Sequence, residues 1–257
     1  MSKTRLRLDT WLVKQGVATD AGHAKVLIDQ GLILVNGSIA LTENRMIANS
    51  DQVLLFSPDR FVSRGGEKLE AALLAFGVQL VGKRVLDAGA STGGFTDCVL
   101  QRDATQVVAV DVGKAQLHDR LVRDPRVVVL DSTNVRSLTT DMAGDFDVIV
   151  ADLSFISLRQ VARALFGVLR PHGDMILLVK PQFEAEKSEV DKGAGVIRES
   201  EIHQRTLAQV ADAFFTLGMV QLGVIESPLR GADGNTEFLL HLRRDLAIDA
   251  HSVSRVE

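Results

Sequence analysis

Several features that mark whole classes of protein are missing from this sequence. Its 257 residues include a single cysteine, Cys98, so no disulfide can form within the chain and a reducing compartment is expected. Apolar runs such as 127–130 and 175–179 fall far short of the ~20 residues that a membrane-spanning helix needs. The N-terminal residues carry scattered charges without an apolar core, and no secretion signal is expected. These absences favour a cytoplasmic, globular protein.

The sequence also lacks the spacing of metal ligands. Its six histidines do not recur at the intervals of a zinc site, and one cysteine cannot supply a set of thiolates. Cys98 lies within a predicted helix and is interpreted as a packed side chain, not as a nucleophile. No metal is therefore expected.

An excess of acidic residues argues against the whole chain being a nucleic-acid-binding surface. The formal net charge is −4, whereas phosphate contacts usually leave a basic signature. Residues 1–60 hold seven Lys and Arg and six Asp and Glu, whereas the remainder holds 22 and 27. The N-terminal region is therefore the candidate RNA-binding surface, with an ordinary solvated face as the alternative. Its candidate residues, here called the basic set, are Arg5, Arg7, Lys14 and Lys25.

The first 58 residues have the pattern of a small α+β domain. Two helices are predicted between residues 8 and 31, and either Thr19 or Asp20 can cap the second. Strands are expected at 32–35 and 51–56, and Asn36-Gly37 favours a type I′ turn into a returning strand. Proline and polar residues then predict a linker, so the domain is placed at 1–58 and the linker at 59–63.

From residue 64 the pattern changes to alternating strands and helices. Strands are predicted at 83–88, 106–111, 126–130, 145–151, 174–179, 219–225 and 236–242, and helices at 66–76, 93–102, 114–122, 157–169 and 200–217. This alternation favours an α/β fold with a doubly wound, mostly parallel, Rossmann-like sheet, which binds ligands at the carboxyl ends of its strands. The domain is expected to cover 64–245, followed by a mobile tail at 246–257.

The most specific single motif, residues 85–96, joins the first strand of this domain to a helix. Its glycines let the backbone approach a ligand and leave N–H groups free at the helix start. Ser91 stands where the dinucleotide motif G-x-G-x-x-G needs glycine, which disfavours an NAD-dependent oxidoreductase. The spacing G-x-x-x-G-G instead resembles the first motif of Rossmann-like methyltransferases.

Two acidic residues end the next two strands of the pattern. Asp111 can accept hydrogen bonds from ribose hydroxyls and Asp131 can reach an adenine amino group, although either acid could simply cap the following helix. Phe95 is either part of the site or packed in the core. The candidate cofactor-binding residues are Asp87, Gly89, Ser91, Gly93, Gly94, Phe95, Asp111 and Asp131.

Seven motifs are spread along nearly the whole chain: RLDTWL at 7–12, GLILVNG at 31–37, VSRGGEKL at 62–69, GASTGGFTD at 89–97, DLSFIS at 152–157, KPQFE at 180–184 and GNTEFL at 234–239. Together they resemble the TlyA-type ribosomal RNA 2′-O-methyltransferases, which join an S4-like RNA-binding domain to an FtsJ-like methyltransferase domain. The resemblance implies S-adenosylmethionine as cofactor, ribosomal RNA or ribosomal subunits as partner, and cytidine as the methylated nucleotide. Asp20-Ala21 departs from the Ser-Arg that is usual there, which removes an RNA-facing cation.

The FtsJ-like resemblance also implies a catalytic tetrad, at Lys68, Asp152, Lys180 and Glu237. Asp152 and Lys180 follow the fourth and fifth predicted strands, so both are expected at the ligand-binding edge. Lys180 could remove the proton of the ribose hydroxyl, which requires a pKa below the usual ~10.4, or could stay charged and stabilise the developing alkoxide. Asp152 and Glu237 would orient the lysines and the ribose. Two surface salt bridges are the alternative interpretation.

Polar residues near these motifs could form an RNA-facing mouth. The candidates are Ser63, Arg64, Phe183 and the stretch 184–195, and Arg64 is included among the RNA-binding residues. A flexible, solvated loop is an equally good interpretation of 184–195.

Two further function classes compete with an enzyme. The family's association with haemolysis suggests a membrane-active protein, which the missing signal, spanning helix and basic amphipathic helix disfavour. A non-catalytic ribosome-binding or assembly factor would also suit the two-domain pattern. The intact tetrad and cofactor motifs favour the methyltransferase over that second class.

Overall fold

The fold is taken from a computed structural model, which describes residues 5–36, 38–48, 51–55 and 60–245. The chain divides into two units, Met1–Arg60 and Phe61–Glu257, called unit 1 and unit 2 below. Gly37 of the expected turn, residues 56–59, which include the first residue of the expected linker, and the tail at 246–257 lie outside the described residues.

Unit 1 consists of a helical hairpin and short strands. Its elements are β1 (Leu6–Arg7), α1 (Leu8–Lys14), α2 (Ala21–Asp29), β2 (Ile33–Val35), β3 (Ser38–Ile39), β4 (Met46–Ile47) and β5 (Val53–Leu55). Asp20 is the residue that caps α2, since its carboxylate accepts a hydrogen bond from the His23 N–H at 2.8 Å. β2 pairs with β3 and β5. β1 and β4 form a further pair, and their two-residue length leaves no pattern to detect in the sequence.

Unit 2 contains a sheet whose described strands run in the order β11-β12-β10-β9-β6-β7-β8. They are β6 (Arg84–Ala88), β7 (Gln106–Val110), β8 (Val127–Leu130), β9 (Phe146–Ala151), β10 (Leu169–Val179), β11 (Met219–Glu226) and β12 (Phe238–Arg244). Strands β6 to β10 pair in parallel, and β12 lies antiparallel to both β10 and β11. The predicted α/β class with a mostly parallel sheet is confirmed.

Helices cover both faces of this sheet. They are α3 (Gly65–Phe76), α4 (Gly94–Leu100), α5 (Asp119–Val122), α6 (Thr140–Ala143), α7 (Ala162–Gly167), α8 (Pro181–Glu184), α9 (Lys187–Lys192) and α10 (Ser200–Phe215). Alternate side chains of a strand point to opposite faces. One apolar cluster therefore contains Ile149 and Leu177, and the other contains Val148 and Ile176. Because both faces are buried in the middle of the sheet, β7 and β9 are almost continuously apolar, which is the pattern that predicts them.

Three segments differ from their predicted structure. The helix expected at 114–122 is limited to α5, because Ala115 has a φ of +53° that an α-helix cannot accommodate. The helix expected at 157–169 is divided into a 3₁₀ turn at Leu158–Gln160 and α7, and β10 already begins at Leu169. The stretch 184–195 is not a loop throughout, since it contains α9, which begins with a capping box.

Candidate active site

The turn after β6 brings the glycine motif to the carboxyl edge of the sheet. Gly89 has a φ of +87°, and its N–H donates to the Val110 carbonyl at 2.8 Å. A Cβ added at Gly89 would lie 2.5 Å from the carbonyl oxygen of Asp152. Glycine is therefore required both by the backbone conformation and by the close approach of the segment after β9.

A large cleft of about 550 Å³ opens beside this turn. Asp111 lies in its wall, and the two oxygens of its carboxylate accept hydrogen bonds from the N–H groups of Ser91 at 2.8 Å and Gly113 at 2.7 Å. These contacts fix the orientation of the carboxylate. They leave further lone pairs free to accept hydrogen bonds from hydroxyl groups. Other residues lining the large cleft are Gly89, Gln116, Asn134, Val135, Arg136, Asp152, Ser154, Phe155 and Ile156.

Neither Asp111 nor Asp131 caps a helix. His118 caps α5, and Asn134 caps the 3₁₀ turn Val135–Ser137. The Asp131 carboxylate accepts a hydrogen bond from the Ala115 N–H at 3.0 Å, and Asp131 is not among the described residues that line the large cleft. Asn134, Val135 and Arg136 line it instead. Sequence reasoning missed these three, because residues in an irregular connection carry no periodic signal.

Two candidates of the glycine motif lie away from the clefts. Asp87 is fully buried, its carboxylate accepts a hydrogen bond from the Thr96 hydroxyl at 2.6 Å, and burial raises its pKa to about 7. A Cβ at Gly93 would overlap the side chains of Leu117 and Leu121. This glycine therefore permits apolar packing behind the motif, and a larger residue there would disturb the core before it met a ligand.

A small cleft of about 280 Å³ adjoins the large one, and four residues line both: Gly89, Ser91, Asp152 and Ser154. Gly94 and Phe95 belong to the wall of the small cleft, although Phe95 is only 3% exposed and also packs in the apolar core. Both interpretations of Phe95 thus have a structural basis. The small cleft is further lined by Ser63, Arg64, Lys68, Lys180 and Arg230.

Two ion pairs lie at the small cleft. Lys180 Nζ is 2.6 Å from Asp152 Oδ1 and donates to the Ser154 hydroxyl at 2.9 Å. Lys68 Nζ is 2.5 Å from Glu237 Oε2. The side chains of Lys68 and Lys180 are only 12% and 11% exposed, so these are not the solvated surface salt bridges of the alternative interpretation. The four tetrad positions are brought together around one cleft, with Glu237 behind Lys68 and 3% exposed.

Phe155, between Asp152 and the next 3₁₀ turn, is a residue that sequence reasoning missed. Its side chain is 91% exposed, and its φ of +63° is strained for a residue with a Cβ. Its ring centroid lies 5.3 Å from that of Phe183, and Lys180 Nζ lies 5.8 Å from the Phe183 ring. The strained backbone holds an exposed aromatic ring beside the clefts, where it can stack on a planar group.

The predicted RNA-binding residues are all exposed. Arg7 forms an ion pair with Asp9 at 2.6 Å, and Lys25 lies 3.2 Å from a carboxylate oxygen of Asp29, so part of the charge of the basic set is compensated within unit 1. Lys14 occupies the last turn of α1, and Arg5 precedes β1. In unit 2, Arg64 precedes α3 and lines the small cleft.

Cys98 is buried in α4. Among the described residues, no three or more His, Cys, Asp or Glu side chains are grouped so that they could hold a metal ion. In the same part of the chain, no helix is both long and apolar enough to cross a membrane.

Comparison with known proteins matches both units to families. The FtsJ-like methyltransferase family matches residues 61–244, and the S4 domain family matches residues 6–53. The 16S/23S rRNA (cytidine-2′-O)-methyltransferase TlyA of Mycobacterium tuberculosis is 44% identical over 242 residues, which are 93% of this chain and 90% of that protein. Hemolysin A of Brachyspira hyodysenteriae is 37% identical over 92% of this chain and 99% of its own.

A solved structure agrees with these matches. A protein from Streptococcus thermophilus that carries a hemolysin name superposes with a TM-score of 0.71 at 35% identity, covering 98% of this chain and 96% of its own. The chain therefore belongs to the TlyA family of FtsJ-like methyltransferases, with an S4 domain preceding the methyltransferase domain.

Proposed function

We propose that this chain transfers the methyl group of S-adenosylmethionine to a ribose 2′-hydroxyl of ribosomal RNA, at cytidine. The observation that carries the proposal is the small cleft, which is lined by Lys68 and by the Lys180–Asp152 pair and which shares Asp152 with the large cleft. The name of the Mycobacterium tuberculosis relative supports both the substrate and the position of methylation. The substrate would place the protein in the cytoplasm, and no metal is part of the proposal.

The large cleft has the chemistry that the cofactor needs. The fixed carboxylate of Asp111 is suited to accept hydrogen bonds from ribose hydroxyls, and the absence of a side chain at Gly89 lets a ligand approach the backbone. Ile156 and Val135 supply apolar surface for an adenine ring, with Asn134 beside them as a polar partner. The cofactor, when bound there, would supply an electrophilic methyl group.

The side chains of the small cleft would prepare the ribose oxygen. Lys180 Nζ forms an ion pair with Asp152 at 2.6 Å and donates to the Ser154 hydroxyl at 2.9 Å, so we favour the role in which its ammonium stabilises negative charge developing on the ribose oxygen. As the new O–C bond forms and the methyl–sulfur bond breaks, the ribose hydroxyl would become acidic, and the Asp152 carboxylate would accept its proton. Glu237 would hold Lys68 in position to bind the same ribose.

Unit 1 would dock the RNA. Its basic set is exposed and lies within or beside the region that matches the S4 domain family. Ala21, directly after the cap residue Asp20, stands where a cation is usual in the family, so the docking surface would rest on the remaining basic residues. We retain 1–58 and 64–245 as the bounds of the two domains, joined by a linker at 59–63.

Ribose methylation can be mapped in ribosomal RNA from cells with and without the protein. The proposal expects cytidine 2′-O-methylation to disappear when the protein is absent and to return with the unmodified chain. Return of the modification with the Lys180→Ala chain would contradict the proposed site. An unchanged methylation map would contradict the proposed substrate.

A further inference from the structure

A buried carboxylate joins the two segments that carry Lys180 and Asp152. Glu184 ends α8, the helix that starts directly after Lys180, and is only 4% exposed. One carboxylate oxygen accepts a hydrogen bond from the Leu158 N–H at 2.6 Å. The other accepts from the Ser157 hydroxyl at 2.5 Å and from Arg159 Nε at 3.2 Å. Arg159 also donates to the backbone carbonyl of Glu184 at 2.9 Å.

These contacts fix the far end of the loop that starts at Asp152. The near end is fixed by the Asp152 N–H, which donates to the Ala88 carbonyl at 3.0 Å, beside the glycine motif. Ser154 and Phe155 lie between the two anchors, Ser154 as the acceptor for Lys180 and Phe155 with its strained backbone. Of the contacts named here, only those of Glu184 hold the far end of the loop, at residues 157–159, against the segment that follows β10.

Hydrogen-bond donors surround the Glu184 carboxylate, which is not the environment of a side chain that only fills space in an apolar core. Burial raises the pKa of its carboxyl, and the hydrogen bonds from Ser157, Leu158 and Arg159 oppose that shift. A buried carboxylate is costly to desolvate, and an apolar residue of similar size is often as good for stability. What the carboxylate adds is the defined geometry of several donors that come from a different segment of the chain.

We propose that Glu184 is a positioning residue for methyl transfer, which sets the separation between Lys180 and the Asp152–Ser154 pair without touching RNA or cofactor. The inference rests on the function proposed above. In the KPQFE motif at 180–184, Lys180 would act on the ribose oxygen, whereas Glu184 would only hold the surrounding segments in place. Because a displacement of about 1 Å at a reacting group can cost ~10²-fold in rate, the effect should fall on kcat.

The test compares Glu184→Gln with a matched control. Glutamine keeps the size of the side chain but replaces one acceptor oxygen by an NH₂ group, which cannot accept from the Leu158 N–H or from Arg159. We expect kcat to fall by about 10- to 100-fold, with the KM for ribosomal subunits and the Kd for cofactor changed less than about threefold. The control is Asp145→Asn, which alters another arginine-paired carboxylate, immediately before β9 at the opposite edge of the sheet, and should keep the kcat of the unmodified chain.

Rates are expressed per cofactor-binding site. A merely structural role would reduce the number of binding sites and leave the rate at each site unchanged, which would overturn the inference. Glu184→Asp keeps the charge at a shorter reach and should recover part of the lost kcat.

If Glu184→Gln does not fold, Ser157→Ala removes one of the contacts and leaves the carboxylate paired with Arg159. Its kcat should then fall by about 3- to 10-fold, because the hydroxyl's bond to Glu184 and its two weaker bonds from Arg159 are lost, and an unchanged kcat would overturn the inference. Failure of the proposed function is distinguishable, because the unmodified chain would then show no more transfer than Lys180→Ala.

Discussion

Replacing Lys180 by alanine tests the proposed chemistry most directly. The substitution removes an ammonium group that lies 2.6 Å from Asp152 and 2.9 Å from the Ser154 hydroxyl, in a cleft where the lysine is 11% exposed. Loss of one well-placed group of this kind typically lowers kcat by ~10³-fold, which corresponds to about 4 kcal/mol of transition-state stabilisation. Cofactor affinity should change little, because Lys180 does not line the large cleft in the described part of the chain.

Lys180→Arg distinguishes the two roles considered for the lysine. Arginine keeps the positive charge but cannot lose a proton at neutral pH, and its planar group is placed differently. If Lys180 acts through its charge, the arginine variant should retain measurable transfer, well above that of the alanine variant. If Lys180 must accept a proton, both variants should be equally inactive.

The assay is transfer of labelled methyl groups to ribosomal subunits at saturating cofactor, with cofactor binding measured by calorimetry. Lys83→Ala is a matched control, because Lys83 is exposed and immediately precedes β6, at the opposite edge of the sheet. Alanine at position 180 leaves Asp152 without its cation, so thermal unfolding must show that the variant is folded. A folded Lys180→Ala variant with the kcat of the control would refute the role of the tetrad.

Three other predictions follow from separate contacts. Gly89→Ala should abolish cofactor binding in calorimetry, since the added Cβ would lie 2.5 Å from a backbone oxygen; unchanged affinity would place the cofactor elsewhere. Alanine substitutions in the basic set should weaken RNA binding and reduce its salt dependence by about 1 per lost phosphate contact. A chain starting at Phe61 that methylates RNA as well as the full chain would contradict this. Burial raises the folded-state pKa of Asp87 from 3.8 to about 7, so stability should decline as pH rises between these values. Urea unfolding at pH 5 and pH 8 should show this decline in the unmodified protein and not in Asp87→Asn.

Most of the sheet of unit 2 could be predicted, because the alternation of apolar strands with helices along the sequence determines how the strands pair. Buried apolar strands that alternate with helices specify a parallel sheet, and parallel strands end at one edge. Asp152 and Lys180 follow β9 and β10, which are hydrogen-bonded neighbours, so their proximity could be expected from the order of the elements. The position of Glu237 came from the family resemblance, since it precedes an antiparallel strand whose place in the sheet has no local signal.

The remaining features depend on conformations or long-range contacts that the residue pattern does not encode. The positive φ of Ala115 delays the start of α5, and no glycine marks the position. The contact of Glu184 with Ser157 spans 27 positions of the sequence and involves residue types that are common on surfaces. The spacing of the motif includes Gly93, but the side chains that a Cβ there would overlap are those of Leu117 and Leu121. The need for glycine at this position therefore becomes clear only from the folded structure.

The wall shared by the two clefts has a thermodynamic consequence. Gly89, Ser91, Asp152 and Ser154 line both spaces, so a shift of this wall changes the shape of both clefts together, which under the proposed function are the compartments of the methyl donor and of the RNA. Occupancy of one compartment is then linked energetically to occupancy of the other, and linkage of this kind is reciprocal. If RNA binding tightens the hold on the methyl donor, the donor must tighten the hold on RNA by the same factor. Under the proposed function, loss of the methyl group from the donor would change its contacts at this wall and, through the same linkage, weaken the hold on the RNA after transfer.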